Sequence, residues 1–206
     1  MDFIKLDATV RATKGKGAAR RMRTAGFVPA VIYGKSTNNT PISVNPEALV
    51  KALAGPLRVN TPLNLSITEV DGKKAADSLA IVKDHQYDPV TRELLHVDFL
   101  AITEDKQIRV DVPVEKSGRS VGEQMGGILR MVHRTVPVLC LPKDIPAKIA
   151  IDVSALQAGI TFHVHEMTLS EGLSIDLPPQ EAIITISAVA AEETKEGEED
   201  KKASKK

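Results

Sequence analysis

The chain is organised around residues 11–34, which read Arg11-Ala-Thr-Lys-Gly-Lys-Gly-Ala-Ala-Arg-Arg-Met-Arg-Thr-Ala-Gly-Phe-Val-Pro-Ala-Val-Ile-Tyr-Gly34. The Lys-Gly-Lys-Gly portion predicts a flexible loop whose backbone can approach a partner closely. Residues 18–25 are good helix formers, and Gly26 suits the position just after a helix end. Residues 27–33 then predict a buried strand. A glycine loop therefore leads into a short helix that carries three arginines and is anchored by a strand.

The charge of this stretch is single-signed. Residues 11–35 contain seven basic residues and no acidic one, although the whole chain has 27 of each. Residues 1–100 carry four more basic than acidic residues, whereas residues 101–190 carry three more acidic ones. Free N–H groups and the helix dipole at the start of the predicted helix suit phosphate oxygens. The pattern favours nucleic-acid contact by the first half, with a solvated basic face as the alternative.

Apolar alternation and turn residues predict a mainly β chain with short helices. Strands are predicted over residues 4–10, 27–33, 40–44, 63–67, 79–83, 94–100, 108–114, 131–141, 147–153, 161–165 and 182–188. Asn45-Pro46-Glu47 predicts a helix start, and Asp71-Gly72 predicts a hairpin turn. Residues 117–127 predict a glycine-bearing loop, and Ser154–Gly159 predicts one capped helical turn.

This pattern divides the chain into three parts. Residues 1–100 predict a small β-barrel or curled sheet, and residues 101–190 predict a second β-rich domain after a polar joint at 101–107. Residues 191–206 contain no hydrophobe larger than alanine and predict a disordered charged tail.

Several classes of function find no support in the sequence. Cys140 is the only cysteine, so a disulfide framework is excluded and a reducing compartment is favoured. Its apolar neighbours indicate a buried, inert thiol. The N-terminus lacks the long apolar stretch of a signal peptide or membrane span. His163 and His165 could share a strand face and bind a metal, but no further ligand is evident, so two surface histidines are the preferred interpretation. No catalytic constellation and no cofactor motif is present.

A polar pair on one strand has two interpretations. Strand alternation places His96 and Asp98 on the same face, with Val97 and Phe99 on the other. Such a pair can donate to and accept from base edges or a 2′-hydroxyl. It can equally form a local contact that holds the end of the strand, and spacing alone does not choose between the two.

The order of these motifs closely resembles a bacterial family of large-subunit ribosomal proteins that bind 5S ribosomal RNA. The resemblance rests on Arg11-x-x-x-Gly-Lys-Gly-Ala-x-Arg-Arg-x-Arg23, on Pro29-Ala-Val-Ile-Tyr-Gly34, on Asp88-Pro89 and on His96-Val-Asp-Phe99. It is dense over residues 1–100 and looser over 101–189. The second domain makes the chain similar to the long form, also called general stress protein CTC. Tyr87 departs from the pattern, because short members tend to have a basic residue there.

The resemblance implies a barrel similar to the anticodon-binding barrel of glutaminyl-tRNA synthetase. The family that the chain resembles recognises the irregular loop E of 5S RNA. Its implied basic contacts are Arg11, Lys16, Arg20, Arg21 and Arg23. Its implied aromatic contact is Tyr33, its polar contact is Lys83, and its base-reading pair is His96 and Asp98. Lys14 and Gly17 join this predicted RNA-binding set from the glycine loop itself.

The implied protein is a structural component of the large subunit, cytoplasmic and ribosome-bound, with no enzymatic reaction, cofactor or membrane association. It would be monomeric within the ribosome and would contact 5S RNA, with a neighbouring ribosomal protein as a further partner of the second domain. Two alternatives stand beside it. One is a tRNA-binding appendage or RNA-processing enzyme with a similar barrel. The other is a free RNA-binding stress-response or interaction factor.

Overall fold

The fold is that of a computed structural model, which describes residues 3–34, 37–69, 74–168 and 172–187. The predicted tail, the Asp71-Gly72 turn and Lys35 lie outside the described residues. The chain is mainly β, with a closed six-stranded barrel followed by a second β-rich region. No helix among the described residues is long and apolar enough to cross a membrane.

The barrel is built from six strands and two short helices. The strands are β1 (Ile4–Val10), β2 (Val28–Gly34), β3 (Thr37–Val44), β4 (Leu63–Thr68), β5 (Lys74–Tyr87) and β6 (Leu94–Ala101). The helices are α1 (Lys16–Thr24) and α2 (Pro46–Ala52), and a 3-10 turn spans Arg58–Asn60. The strand order is β1-β3-β2-β6-β5-β4, and a parallel pairing of β1 with β4 closes the barrel. Closure leaves no free sheet edge in this part of the molecule.

Local sequence explains both helices. The Asn45 side chain accepts a hydrogen bond from the Glu47 N–H at 2.9 Å, with Pro46 at the first helical position, as predicted. At the end of α1, Gly26 has φ +84°, and the Phe27 N–H donates to the Met22 carbonyl. This is the glycine-terminated helix end that the sequence predicts. Phe27 itself precedes β2 and is 46% exposed, so the prediction of a buried residue there is wrong.

The second region contains two sheets. Its strands are β7 (Ile108–Ser117), β8 (Ile128–Met131), β9 (Thr135–Cys140), β10 (Ile149–Asp152), β11 (Thr161–His163), β12 (Ser174–Ile175) and β13 (Ala182–Ser187). One sheet has the order β10-β7-β9-β12, and the other has the order β11-β13-β8.

Four local predictions fail in this region. The strand predicted over residues 131–141 is interrupted at 132–134, where β8 has ended and β9 has not begun. Ser154–Gly159 forms turns rather than a helical turn, because the Asp152 carboxylate accepts from the Ser154 N–H and holds the chain in a bend. The strand predicted to reach His165 ends at His163, and Val164–Glu166 continues it as a 3-10 turn. The loop at 117–127 contains a short helix, α3 (Val121–Gln124), which begins with a capping box.

The two regions share a packed boundary. Ile81 of β5 points out of the barrel and joins the apolar core of the second region, where it is 4% exposed. Leu57, Leu100 and Ile102 pack against the same core. The Asn60 side chain donates to the Asp111 carbonyl at 2.8 Å. Burial of these side chains stabilises the contact in proportion to the apolar area removed from water.

Candidate nucleic-acid interface

The helix α1 begins in an open loop. Gly15 precedes it with φ +105°, a conformation that glycine adopts without steric cost, and no side chain caps the helix start. Lys14 before Gly15 is exposed, as are Lys16 and Gly17 after it. A Cβ atom built on Gly17 would meet only the Arg21 guanidinium, at 3.8 Å. The first turn of α1 therefore presents N–H groups, flanked by cations, to the outside of the molecule.

The two faces of α1 differ. Ala18, Ala19 and Met22 are half-buried on the side that packs against β2, which is why the helix lies flat on the barrel. Arg20 and Arg21 are exposed on the other side and make no ion pair with any described residue. Their guanidinium groups are therefore free to meet an external anion.

Two of the predicted contact residues have part of their donors committed to the barrel. Arg11 donates from Nη2 to the Ala30 carbonyl at 3.3 Å, while its buried Nε lacks a hydrogen-bond partner. Burial lowers the pKa of Arg11. Arg23 donates from Nε to the Leu95 carbonyl at 3.1 Å. These two arginines fix the loop and α1 on β2 and β6, a positioning role that the sequence does not reveal.

The polar pair predicted on β6 is in contact. His96 Nδ1 donates to Asp98 Oδ1 at 2.7 Å, and both side chains are about one-third exposed. Val97 and Phe99 point into the barrel core, at 1% and 0% exposure. With Nδ1–H committed to the carboxylate, a neutral His96 presents Nε2 outward as an acceptor, and a protonated one presents it as a donor. Both interpretations of the pair are compatible with this geometry.

Tyr33 of β2 lies beside the same pair. Burial raises the pKa of the Tyr33 phenol, and the negative charges of Asp98 and Asp84 raise it further. Ile32 and Phe99, which adjoin Tyr33 and Asp98 on their strands, are buried in the core, so Tyr33 and Asp98 both project from the outer face. The outer face of these strands brings together three residues of the predicted set, namely Tyr33, His96 and Asp98.

A β-bulge controls which residues of β5 join this face. The register shifts between Val82 and Asp84, so Lys83 occupies the bulge. Beyond it, Asp84 lies opposite Asp98, and Gln86 lies opposite His96. Directly opposed residues share a face, so Gln86 and Asp84 belong to the polar surface. Simple alternation would have placed them inward, and for that reason the sequence prediction missed them.

Lys83 stands apart from the other predicted contacts. Its side chain is exposed and lines a groove of about 700 Å³ between the barrel and the second region, together with Arg58 and Arg109. The groove is adjacent to the polar face but is not lined by His96 or Asp98. The structure thus groups Lys83 with a different set of cations from those on α1.

The cations of the two regions differ in their partners. No lysine or arginine of the barrel forms an ion pair within the described part of the chain. The second region contains four pairs of a lysine or arginine with a carboxylate among its described residues: Arg109–Asp176, Lys116–Glu123, Lys143–Glu104 and Lys148–Glu115, at 2.8–2.9 Å. The unpaired cations therefore concentrate on the barrel.

The remaining candidates have structural surroundings. His163 and His165 donate from Nδ1 to the Gln180 and Pro179 carbonyls, and their rings stack with centroids 5.7 Å apart. No group of three or more metal-binding side chains occurs among the described residues. Cys140 is fully buried, as predicted, and burial raises the pKa of its thiol. Such a thiol is a poor nucleophile.

Comparison with known proteins places each region in a family. A model described as the ribosomal L25p family matches residues 6–99. A model described as ribosomal protein TL5, C-terminal domain, matches residues 107–190. Three proteins named large ribosomal subunit protein bL25 align over most of the chain. The protein of Anaeromyxobacter sp. (strain K) is 39% identical over 188 residues, which cover 91% of this chain and 76% of that protein.

The other two relatives come from different bacteria. The protein of Syntrophotalea carbinolica is 37% identical over 198 residues, which cover 96% of this chain and 93% of that protein. The protein of Thermotoga maritima is 35% identical over 184 residues, which cover 89% of this chain and 85% of that protein. The alignments therefore span both regions of the fold.

Proposed function

The chain belongs to the ribosomal L25p family, and from that membership we propose that it binds 5S ribosomal RNA at loop E through its barrel. Members of the family are structural, non-enzymatic components of the bacterial large ribosomal subunit. The protein is accordingly assigned to the ribosome, in the cytoplasm, as a single copy per subunit.

The affinity would come from α1 and the loop before it. Exposed Lys14, Lys16, Arg20 and Arg21 have no acidic partner among the described residues, so their charges are available to phosphates. The uncapped first turn of α1 adds N–H donors that suit phosphate oxygens. Such contacts contribute to binding of any RNA and weaken with salt, because binding releases condensed counterions.

The selectivity would come from the outer face of β2, β6 and β5. His96, Asp98, Tyr33 and Gln86 there offer both donors and acceptors at fixed positions. The wide minor groove of A-form RNA exposes base edges and 2′-hydroxyls, and the non-Watson–Crick pairs of loop E change their arrangement. A rigid polar face can therefore distinguish an irregular loop from a regular helix.

The observation that carries the proposal is the hydrogen bond from Arg23 to the Leu95 carbonyl. This bond joins the cationic helix to β6 at the residue preceding His96, although Arg23 and Leu95 are 72 residues apart in the sequence. A single RNA segment could therefore contact phosphate-binding side chains and base-reading side chains at once.

The decisive experiment is a titration of the full chain with two forms of 5S RNA. One form has loop E intact, and in the other Watson–Crick pairs replace the loop. We expect binding to the intact loop to be about 100-fold tighter, because specific contacts add to the phosphate term. Equal, salt-sensitive binding to both forms would reduce the barrel surface to a general polyanion patch. Sedimentation with the large subunit at low salt, and release at high salt, separates a ribosomal component from a free factor.

A further inference from the structure

The second region ends one of its sheets in a strand with a free edge. In the order β11-β13-β8, the strand β8 pairs with β13 and with no other strand among the described residues. The backbone of Ile186 in β13 points away from β8. Its N–H donates to the Ile160 carbonyl, and its carbonyl accepts from the Gly159 N–H. Antiparallel strands exchange bonds at every second residue. The neighbours of Ile186 in β13, Thr185 and Ser187, are therefore the ones that bond to β8.

This alternation determines which backbone groups of β8 are unpaired. Arg130 lies opposite Thr185 and uses its N–H and C=O there. Leu129 and Met131, on either side of Arg130, direct their N–H and C=O groups away from β13. Within the described residues, no backbone hydrogen bond reaches Leu129 or Met131 from another element. β8 thus presents the hydrogen-bonding pattern that an additional strand requires.

Exposed apolar side chains surround this edge. Met125 is 77% exposed at the turn before β8, Ile128 is 63% exposed at its first residue, and Val132 is 52% exposed just after it. Leu129 and Met131 pack inward, so Ile128 and Val132 share the outer face of the strand. Clusters of this kind mark interaction surfaces, because water disfavours them.

One cation lies on this surface. Arg130 lies between Ile128 and Val132 on the outer face, and it is exposed. It makes no ion pair within the part of the chain that the structure describes. A partner strand laid along this edge would therefore place apolar side chains near Ile128 and Val132 and a carboxylate near Arg130. RNA would satisfy the arginine but would leave the apolar side chains and the strand edge unmatched.

We propose that β8 docks an extended, acidic-and-apolar segment of a neighbouring large-subunit protein, which adds a strand to the β11-β13-β8 sheet. In this mode, main-chain hydrogen bonds provide affinity and the side chains on the outer face provide specificity. This proposal rests on the proposed function, namely that the chain is part of the large subunit. It adds a contact made by the second region. It also gives the acidic second region a function that does not depend on phosphate contacts.

Two measurements on the full chain test this assignment. The first compares amide hydrogen exchange of residues 128–132 in the free protein and in purified large subunits. The second places the photo-cross-linker p-benzoylphenylalanine at position 128, with position 106 on the turn before β7 as the control site. We expect exchange of the Leu129 and Met131 amides to slow by about tenfold or more on assembly, because these two edge amides become hydrogen-bonded. We expect cross-links from position 128, and not from 106, to a ribosomal protein.

A double variant, Ile128→Asp with Arg130→Glu, supplies the matched comparison. Both side chains are exposed, so the fold should be retained, while the apolar contact and the charge complement are both lost. The variant should still sediment with the large subunit through its barrel, with exchange at 128–132 returned to the rate of the free protein. Unchanged exchange on assembly overturns the proposal, as do cross-links to ribosomal RNA or to residues 188–206 of the same chain. Failure of the wild-type chain to sediment with the subunit would instead overturn the proposed function.

Discussion

The barrel and the second region hold their cations in different ways. In the second region, Arg109, Lys116, Lys143 and Lys148 each lie within 3 Å of a carboxylate. In the described part of the barrel, no lysine or arginine has such a partner. Exposed ion pairs contribute little stability, so the difference concerns availability: paired cations are neutralised within the molecule, whereas unpaired ones can neutralise an external polyanion. A net charge of zero conceals this division.

The largest expected effect is the loss of RNA affinity when the unpaired cations of α1 are removed. The double substitution Arg20→Ala and Arg21→Ala should weaken 5S RNA binding by about 10- to 100-fold and reduce the salt-dependence slope by about two. The loss should be equal for intact and replaced loop E, because phosphate contacts do not read sequence. The matched control is Lys116→Ala with Lys148→Ala, whose cations are already paired. A similar loss in the control would abolish the contrast between the two regions. Fluorescence-anisotropy titrations at several salt concentrations provide both quantities.

The next effect concerns selectivity on the polar face. His96→Ala should cost about 1–3 kcal/mol in binding to intact loop E and little in binding to the Watson–Crick form. His85→Ala is the control, because His85 is exposed on the adjacent strand and contacts Tyr87 rather than Asp98. If His96→Ala weakened both RNAs by the same factor, the pair would hold the strand and would not read bases.

Substitution of Gly17, in the first turn of α1, should change folding stability and RNA binding in opposite directions. Gly17→Ala adds a methyl group that meets only the Arg21 guanidinium at 3.8 Å, and alanine is the better helix former. The free energy of unfolding should therefore rise by up to about 1 kcal/mol. RNA binding should nevertheless weaken, because the added Cβ would occupy space that a closely approaching phosphate needs. Retained affinity would mean that the RNA does not approach the backbone here. Thermal unfolding and titration of the same sample give the two answers.

The smallest effect is a pH dependence that differs between the regions. Hydrogen bonds from Lys143, Lys148 and Lys116 lower the pKa values of Glu104, Glu115 and Glu123. A carboxyl whose pKa is lowered by folding contributes stability above its unfolded pKa and loses it as the pH falls through the folded value. In the barrel, Tyr33 has a raised pKa, so its contribution is lost only as the pH rises above its ordinary value. The three glutamates should thus weaken the second region in acid, and Tyr33 should weaken the barrel in alkali. The lowered pKa of Asp88 adds an acid response to the barrel, and the raised pKa of Cys140 adds an alkaline response to the second region.

The positions of the tyrosines allow the pH dependence of barrel stability to be measured separately. Both tyrosines, Tyr33 and Tyr87, belong to the barrel, and the chain has no tryptophan. Tyrosine fluorescence therefore reports the barrel, while far-ultraviolet circular dichroism reports both regions. Replacing Glu104, Glu115 and Glu123 with glutamine should flatten the acid limb of the dichroism-detected stability and leave the fluorescence-detected alkaline limb unchanged. An acid limb that survives these substitutions would assign it to other carboxyls.

Most strands, and both barrel helices, could be predicted from the sequence. Period-two alternation, the Asn45-Pro46-Glu47 cap and Gly26 encode their elements locally, within a few residues of the structure that they specify. The basic stretch and the motif order also sufficed to indicate the family. The failures at 154–159 and 161–165 occur where a side chain or a neighbouring turn bends the backbone, which local propensity does not record.

Tertiary structure alone decided how these elements form a surface. The bulge at Lys83 reverses the alternation of β5 and places Gln86 opposite His96, while Arg23 reaches the carbonyl of Leu95. The closing pair of β1 with β4 and the free edge of β8 depend likewise on pairings between distant segments. The physical reason is range: helix caps and strand alternation follow from neighbouring residues, but register, bulges and unpaired edges follow from which strands meet after the chain has folded.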